Sequence, residues 1–185
     1  MLCTGNICRS PMAEAFLRRR LADLGVEAHV HSAGRLWENT PATPEGVEVL
    51  AAMGYDTSSH RSRRLTPDMA RRADLVLGMA REHVRDVAVI STELWPRTFT
   101  IKELVRRAEQ VGPRSPDQPF DEWLAKVHAG RTTADMMGWS AEDDVADPIG
   151  AGRGVYRRTA EDLDQLTARL VELGWARARA GGEHA

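Results

Sequence analysis

Near the start of the chain, in CTGNICRSPMAEAF, five residues separate Cys3 from Arg9. A loop of that size can curl so that its backbone N–H groups converge on one point, forming an anion nest. Gly5 permits backbone conformations that other residues resist. The helix signalled after Ser10 and Pro11 adds its positive N-terminal end. A phosphate-sized dianion suits such a centre, with Arg9 forking onto two of its oxygens. The same field favours a thiolate at Cys3. A thiolate at the base of a phosphate cradle is placed for in-line attack on phosphorus, while Arg9 and the amides hold the equatorial oxygens. C-x5-R alone is a weak signal in a chain this rich in arginine. Gly5, Asn6, Ser10, Pro11 and the helix behind them make it specific. An aryl leaving group needs help, because a phenol has a pKa of about 10. A carboxylic acid beside the leaving oxygen typically contributes about 10²–10⁴-fold. Asp143, Asp144 and Asp147 share one loop, and spacing does not choose among them.

Periodicity names the elements that must position this loop. Pro11 to Leu24 reads as a helix with Met12, Ala13, Phe16, Leu17, Leu21 and Leu24 on one face, Ser10 as its N-cap and Gly25 as its stop. VEAHVH, Val26 to His31, alternates like a strand that SAG ends. Thr43–Pro44 opens a helix that closes at Gly54, and Thr66–Pro67 opens a shorter one. DLVLGM, Asp74 to Met79, fits a short buried parallel strand. REHVRDV is helical, RTFTI is another strand, and KELVRRAEQ continues as helix. Val111 to Asp121 is loop-like with three prolines, and EWLAKVHAG makes two helical turns. AEDDVADPIGAGRG is an acidic, then glycine-rich loop. Val155 to Trp175 is the strongest helix, with Leu163, Leu166, Leu170 and Leu173 on one side, and residues 176–185 read as a disordered, frayed tail. Strands alternating with helices imply an α/β fold with a parallel sheet covered on both faces.

The totals narrow the classes. With 185 residues, 42% hydrophobic and 28% charged, residues 1–175 suit one domain with a sizeable core, and 111–141 reads as an insertion within it. A net charge of −2 gives no bulk attraction to nucleic acid or an anionic membrane. Of 25 basic residues only Lys102 and Lys126 are lysines, a bias that points to a GC-rich genome. Two cysteines make no disulfide scaffold, and without C-x-x-C or a second Cys/His cluster no metal is expected. No apolar run reaches membrane-spanning length and no signal peptide precedes the first motif, so the expected location is a reducing cytoplasm.

CTGNICRSPMAE resembles the signature of the low-molecular-weight protein tyrosine phosphatases. HSAGRLW, SSHRSRRLT, DLVLGM and DPIGAG follow in the order in which that family carries similar segments. The resemblance implies a three-layer α/β/α fold around a four-stranded parallel sheet, order 2-1-3-4. It implies hydrolysis of phosphotyrosine in proteins through a cysteinyl phosphate, without a cofactor, the partner being a tyrosine-phosphorylated protein. Cys3 resembles the nucleophile and Arg9 the phosphate-binding arginine. Ser10 resembles the hydroxyl that donates to the thiolate, Asn6 the residue that props the loop, and His60 the histidine that holds that asparagine. Thr4, Gly5, Ile7 and Cys8 complete the phosphate-binding loop. The family's Asp-Pro pattern selects Asp147, followed by Pro148, as acid and then base. Where the family usually has an aromatic residue after Asp-Pro, this chain has Ile149, and Trp37 is expected to supply one wall for the substrate ring.

Rival functions differ at named residues. Relatives that hydrolyse phosphoarginine carry threonine where Ile7 stands, and an apolar Ile7 packs on a flat ring while crowding a polar guanidino group. Arsenate reductases linked to thioredoxin need two further cysteines, and this chain has none beyond Cys8; the kind that uses a small thiol stays open. A protein without catalysis, sensing redox state or binding phosphoproteins, is the alternative from another class. Cys3 and Cys8 stand near enough in such a loop for a reversible disulfide. In the family this implies protection of the nucleophile, with Cys8 the resolving thiol. The family's nucleophile also ends an apolar central strand. Only Met1 and Leu2 precede Cys3 here, where about five or six residues make a strand. The expectation is a first strand largely missing, neighbours unpaired along one edge each, and a native product that starts upstream.

Overall fold

The structure, a computed structural model, describes residues 1–175. Residues 176–185, read above as a tail, lie outside the described residues. Four parallel strands form one sheet: β1 (Leu2–Cys3), β2 (Ala33–Gly34), β3 (Val76–Gly78) and β4 (Thr98–Thr100), in the order β2-β1-β3-β4. Parallel neighbours need crossovers. Helix α1 (Arg9–Asp23) joins β1 to β2, α2 (Pro44–Ala52) and α3 (Pro67–Arg72) lie between β2 and β3, and α4 (Arg81–Ile90) leads toward β4. After β4 come α5 (Ile101–Val111), α6 (Phe120–His128) and the long α7 (Arg153–Gly174). The chain leaves β1 for one neighbour and then crosses to the other. Cys3 thus sits at the carboxyl end of a central strand, where ligands bind in open α/β sheets.

The strand pleat sends Leu2 and Cys3 to opposite faces. Leu2 joins Ala33, Ala70, Val76, Val87 and Leu94 under α3 and α4. Cys3 joins the larger cluster with Phe16, Leu50, Phe99, Leu104 and Leu163, where α1, α2, α5 and α7 pack. Trp123 of α6 is buried in that same cluster and donates from Nε1 to the Gly112 carbonyl, whereas Trp139 is exposed. Arg131 is sunk beside Glu103 at 2.7 Å and lies 4.0 Å over the Phe99 ring, fastening the segment after α6 to β4.

Two expectations change. Helix α1 begins at Arg9 with Cys8 at the N-cap and no side-chain cap, so Ser10 sits inside the first turn, its hydroxyl spent on Cys3 instead. Val26–His31 alternates as a strand should, but forms no ladder among the described residues. Just after it, Ala33 N–H donates to the Met1 carbonyl, and the Met1 amino group donates to the His31 carbonyl.

Candidate active site

The loop from Cys3 to Arg9 joins β1 to α1. Cys3 Sγ has two polar neighbours, the Asn6 N–H at 3.2 Å and Ser10 Oγ at 3.0 Å. The direction of the second contact follows from Asn6. Its Oδ1 accepts from Arg63 N–H, so Nδ2 is the end that donates to Ser10 Oγ at 2.9 Å and Ser32 Oγ at 2.7 Å. Ser10 thereby keeps its own proton for the sulfur. Both contacts thus aim a hydrogen at the Cys3 sulfur. Asn6 itself has φ 54°, a left-handed conformation that asparagine tolerates better than most residues. His60 Nε2 donates to the Asn6 carbonyl at 2.7 Å, so the histidine holds this residue's backbone while Arg63 holds its side chain.

The same loop walls a cavity of about 200 Å³. Cys3, Thr4, Gly5, Ile7, Cys8 and Arg9 line it, and the more exposed Trp37, Asp147 and Ile149 edge its mouth. Among the described residues the N–H groups of Gly5, Ile7 and Cys8 donate to no protein acceptor, which leaves them for an anion's oxygens. Arg9 is buried, donates to Val145 O at 3.2 Å and meets Asp147 Oδ2 at 2.5 Å, and its Nε has no partner among the described residues. Ile149 N–H donates to Asp147 Oδ1 at 3.2 Å, so both carboxylate oxygens are held at the mouth.

The three loop carboxylates are now distinct. Asp143 is buried and gripped by Arg81 at 2.6 Å and Arg106 at 2.9 Å. Asp144 accepts from the backbone of Arg81 and of Ser140. Both fasten the loop to the domain, and only Asp147 of the three lines the cavity.

Two contributors escaped the sequence reading. His83, within REHVRDV of α4, is fully buried with Nε2 3.1 Å from Thr4 Oγ1, and Thr4 Oγ1 donates to Glu82 at 3.2 Å. Burial, then the nearby Arg9 and Arg35, lower its pKa to about 3, so the ring is neutral under the loop. The second is Gly34 of β2, against which the loop backbone lies so closely that a Cβ there would meet Asn6 N at 2.8 Å. Nothing in an alternating or helical pattern marks either. Cys8 Sγ points to Thr43 Oγ1 at 3.5 Å and Tyr156 Oη at 3.6 Å, and burial pushes its thiol up.

Comparison with known proteins fits this site. A family model described as low molecular weight phosphotyrosine protein phosphatase matches residues 1–122. The chain belongs to this family. It is 37% identical over 114 residues to the low molecular weight protein-tyrosine-phosphatase Etp of Escherichia coli K12, covering 61% of this chain and 74% of that one. It is 30% identical to a protein-arginine-phosphatase of Bacillus subtilis, covering 92% of each chain. The crystal structure of a low molecular weight protein tyrosine phosphatase from T. tengcongensis superposes with a TM-score of 0.70 at 36% identity, covering 92% of this chain and 95% of that one. The family match ends upstream of Asp147, whereas the Bacillus relative and the superposed structure align over nearly all of the chain.

Proposed function

We propose that this phosphatase hydrolyses phosphotyrosine in proteins, with Cys3 as nucleophile, Arg9 and the loop amides as phosphate ligands, and Asp147 as acid and base. The observation that carries the reading is a cysteine sulfur accepting from Asn6 and Ser10 at the base of a cavity whose mouth holds an Arg9–Asp147 pair. The phosphate dianion takes the Arg9 fork from Asp147, and the freed carboxylate takes up a proton from solvent before the chemical step. The Cys3 thiolate attacks phosphorus, an S–P bond forms, and the P–O bond to the tyrosine breaks. Its electron pair leaves on the phenolic oxygen, which Asp147 protonates. Asp147, now a carboxylate, takes a proton from the water that attacks phosphorus, and the S–P bond returns its electrons to Cys3. Arg9 and the amides stabilise charge on the equatorial oxygens in both steps. No step needs a cofactor. Ile7, Trp37 and Ile149 supply the apolar wall for the ring. The substrate is a tyrosine-phosphorylated protein met in the cytoplasm; no helix among the described residues is long and apolar enough to cross a membrane.

The Bacillus relative's name supports a second reading, hydrolysis of phosphoarginine. Ile7 argues against it, because its apolar side chain faces the same cavity. One panel separates the readings: an aryl phosphate, phosphoarginine and arsenate, each with wild type and Cys3→Ser. The expected result is turnover of the aryl phosphate alone, abolished by Cys3→Ser. Faster turnover of phosphoarginine would replace the reading with the second one. Activity surviving in Cys3→Ser would remove the nucleophile, and activity on none of the three would leave a binding protein.

A further inference from the structure

The loop that carries Asp147 has little of its own to hold that carboxylate in place. Among the described residues neither Ala146 nor Asp147 makes a backbone hydrogen bond, and Pro148 biases Asp147 toward an extended backbone. The position of Asp147 is therefore inherited from residues 143–145. Val145 supplies one anchor. Its N–H donates to the Met79 carbonyl at 2.8 Å, and the Met79 N–H donates to the Leu2 carbonyl at 2.9 Å. Met79 thus ties this loop to the strand that ends in Cys3. Arg9 adds a bond of 3.2 Å to the Val145 carbonyl.

Arg81 supplies the other anchor. It opens α4 directly after Ala80, whose side chain has no oxygen with which to cap the helix. Asp144 caps from across the fold: its Oδ1 accepts from Arg81 N–H at 2.8 Å, and its Oδ2 accepts from Ser140 N–H at 3.2 Å. The Arg81 guanidinium turns onto the same loop. Nε at 2.9 Å and Nη2 at 2.6 Å both donate to Asp143 Oδ2, and Nη1 donates to the Met137 carbonyl at 3.0 Å. Backbone and side chain of one residue thus fix Met137, Asp143 and Asp144 together. Asp143 is 1% exposed, and Arg106 of α5 holds its other oxygen at 2.9 Å. A pair buried in this way is little screened by salt, and its charged hydrogen bonds are directional enough to hold geometry.

We infer that Arg81 is a positioning residue for the acid: through Asp143 and Asp144 it sets where the Asp147 carboxyl stands over the phosphate loop. The inference rests on the assignment of Asp147 proposed above. Arg81 does not line the cavity, so its contribution passes through the loop. Arg85, one turn further along α4, holds the Met136 and Gly138 carbonyls but neither aspartate, which makes it the comparison.

The test measures kcat/KM for phenyl phosphate and for a nitrophenyl phosphate in wild type, Arg81→Ala, Arg81→Lys, Arg85→Ala and Asp147→Ala, with Tm for each. This parameter reports the steps through P–O cleavage, where the poorer leaving group depends more on the acid. A misplacement of about 1 Å costs on the order of 100-fold, and Val145 keeps its own anchors. Arg81→Ala is therefore expected to lose on the order of 10-fold on phenyl phosphate and about 2-fold or less on the nitrophenyl ester. Arg106 stays on Asp143, so no buried carboxylate is left without a cation. Arg81→Lys restores a cation without the fork and should recover part of the loss; it carries the same comparison if the alanine variant does not fold. Arg85→Ala should keep the wild-type ratio of the two esters. Added to Asp147→Ala, Arg81→Ala should cost about 2-fold or less, because no acid is left to position. Equal losses on both esters in the Arg81 variants would make the role merely structural and overturn the inference, as would wild-type values on both or full additivity with Asp147→Ala. A selective loss in Arg85→Ala as large as that in Arg81→Ala would overturn the assignment to Arg81. Equal losses on both esters in Asp147→Ala would remove the acid itself, and this inference with it. Selective loss in Asp147→Ala without one in Arg81→Ala would overturn the inference alone.

Discussion

Replacing Gly34 by alanine tests what holds the Cys3 loop in shape. Gly34 ends β2 and pairs with Cys3 across the ladder. It is not at positive φ, so alanine suits its backbone and the effect comes from contact alone. The added Cβ would meet Asn6 N at 2.8 Å, Asn6 Cβ at 2.9 Å and the Gly5 carbonyl carbon at 3.0 Å, where ordinary contact begins near 3.4 Å. Something must move by several tenths of an ångström. The strand resists, because Gly34 N–H donates to Arg63 O at 2.9 Å and its carbonyl accepts from Leu65 N–H at 2.8 Å. The displacement falls on Asn6, whose N–H donates to the Cys3 sulfur. A misplacement of about 1 Å costs on the order of 100-fold, so about half of that predicts on the order of 10-fold in kcat. Gly5→Ala is the control. Its Cβ overlaps more severely, 2.5 Å from Cζ3 of Trp37, but that side chain is 38% exposed and can swing outward. Gly5→Ala should raise KM for an aryl phosphate as the ring wall is lost, with kcat nearly kept. Steady-state kinetics of both variants, with Tm to confirm folding, decide it. The reasoning fails if Gly34→Ala keeps wild-type kcat, or if Gly5→Ala loses more kcat than Gly34→Ala.

Asp147→Ala should lower kcat for phenyl phosphate by about 10²–10³-fold and for a nitrophenyl phosphate much less, because the better leaving group needs less protonation. Inhibition by inorganic phosphate should hold or tighten, since Arg9 loses its competing partner; equal loss on both esters would move the acid elsewhere. His83 is neutral in the fold, with its pKa near 3 against about 6.5 when unfolded. The unfolded chain binds the extra proton, so stability rises with pH between about 3 and 6.5 and is lost as pH falls, by up to roughly 4–5 kcal/mol. His83→Gln should flatten that acid limb in urea titrations, and an unchanged slope would contradict the burial argument. Cys8 shares the cavity with Cys3. Oxidation by peroxide would turn the two thiols into a disulfide, with two waters as the reduced product. Cys8→Ser should then lose the activity that dithiothreitol restores to the treated parent. Full recovery in Cys8→Ser would return Cys8 to packing against Thr43 and Tyr156.

How much of this was legible in the sequence depends on whether a role is carried by chain neighbours or by residues far away. The Cys3–Arg9 loop is local: its glycine, its arginine and the helix behind it lie within one short stretch, so a candidate phosphate cradle could be read directly. The sheet order and the choice of Asp147 needed the family's pattern, because no periodicity tells one acidic turn residue from another. The structure separates them by what each carboxylate faces: two arginines for Asp143, backbone amides for Asp144, the cavity for Asp147. Ser10 misled because a serine before a helix favours an N-cap in general, while here Asn6 gives it a donor and leaves its proton for Cys3.

His83 and Gly34 stayed hidden for a related reason. Each acts through the loop backbone or Thr4, from an element distant in sequence, and neither disturbs the pattern of its own element. The same distance governs Val26–His31. Alternation reports a strand's preference, but a strand exists only where a neighbour offers N–H and C=O groups, and pairing stops where the Met1 amino group meets His31. Val26–His31, which sequence pattern and structure describe differently, borders a groove lined by Leu17, Leu21, Val30, Leu75 and Trp175.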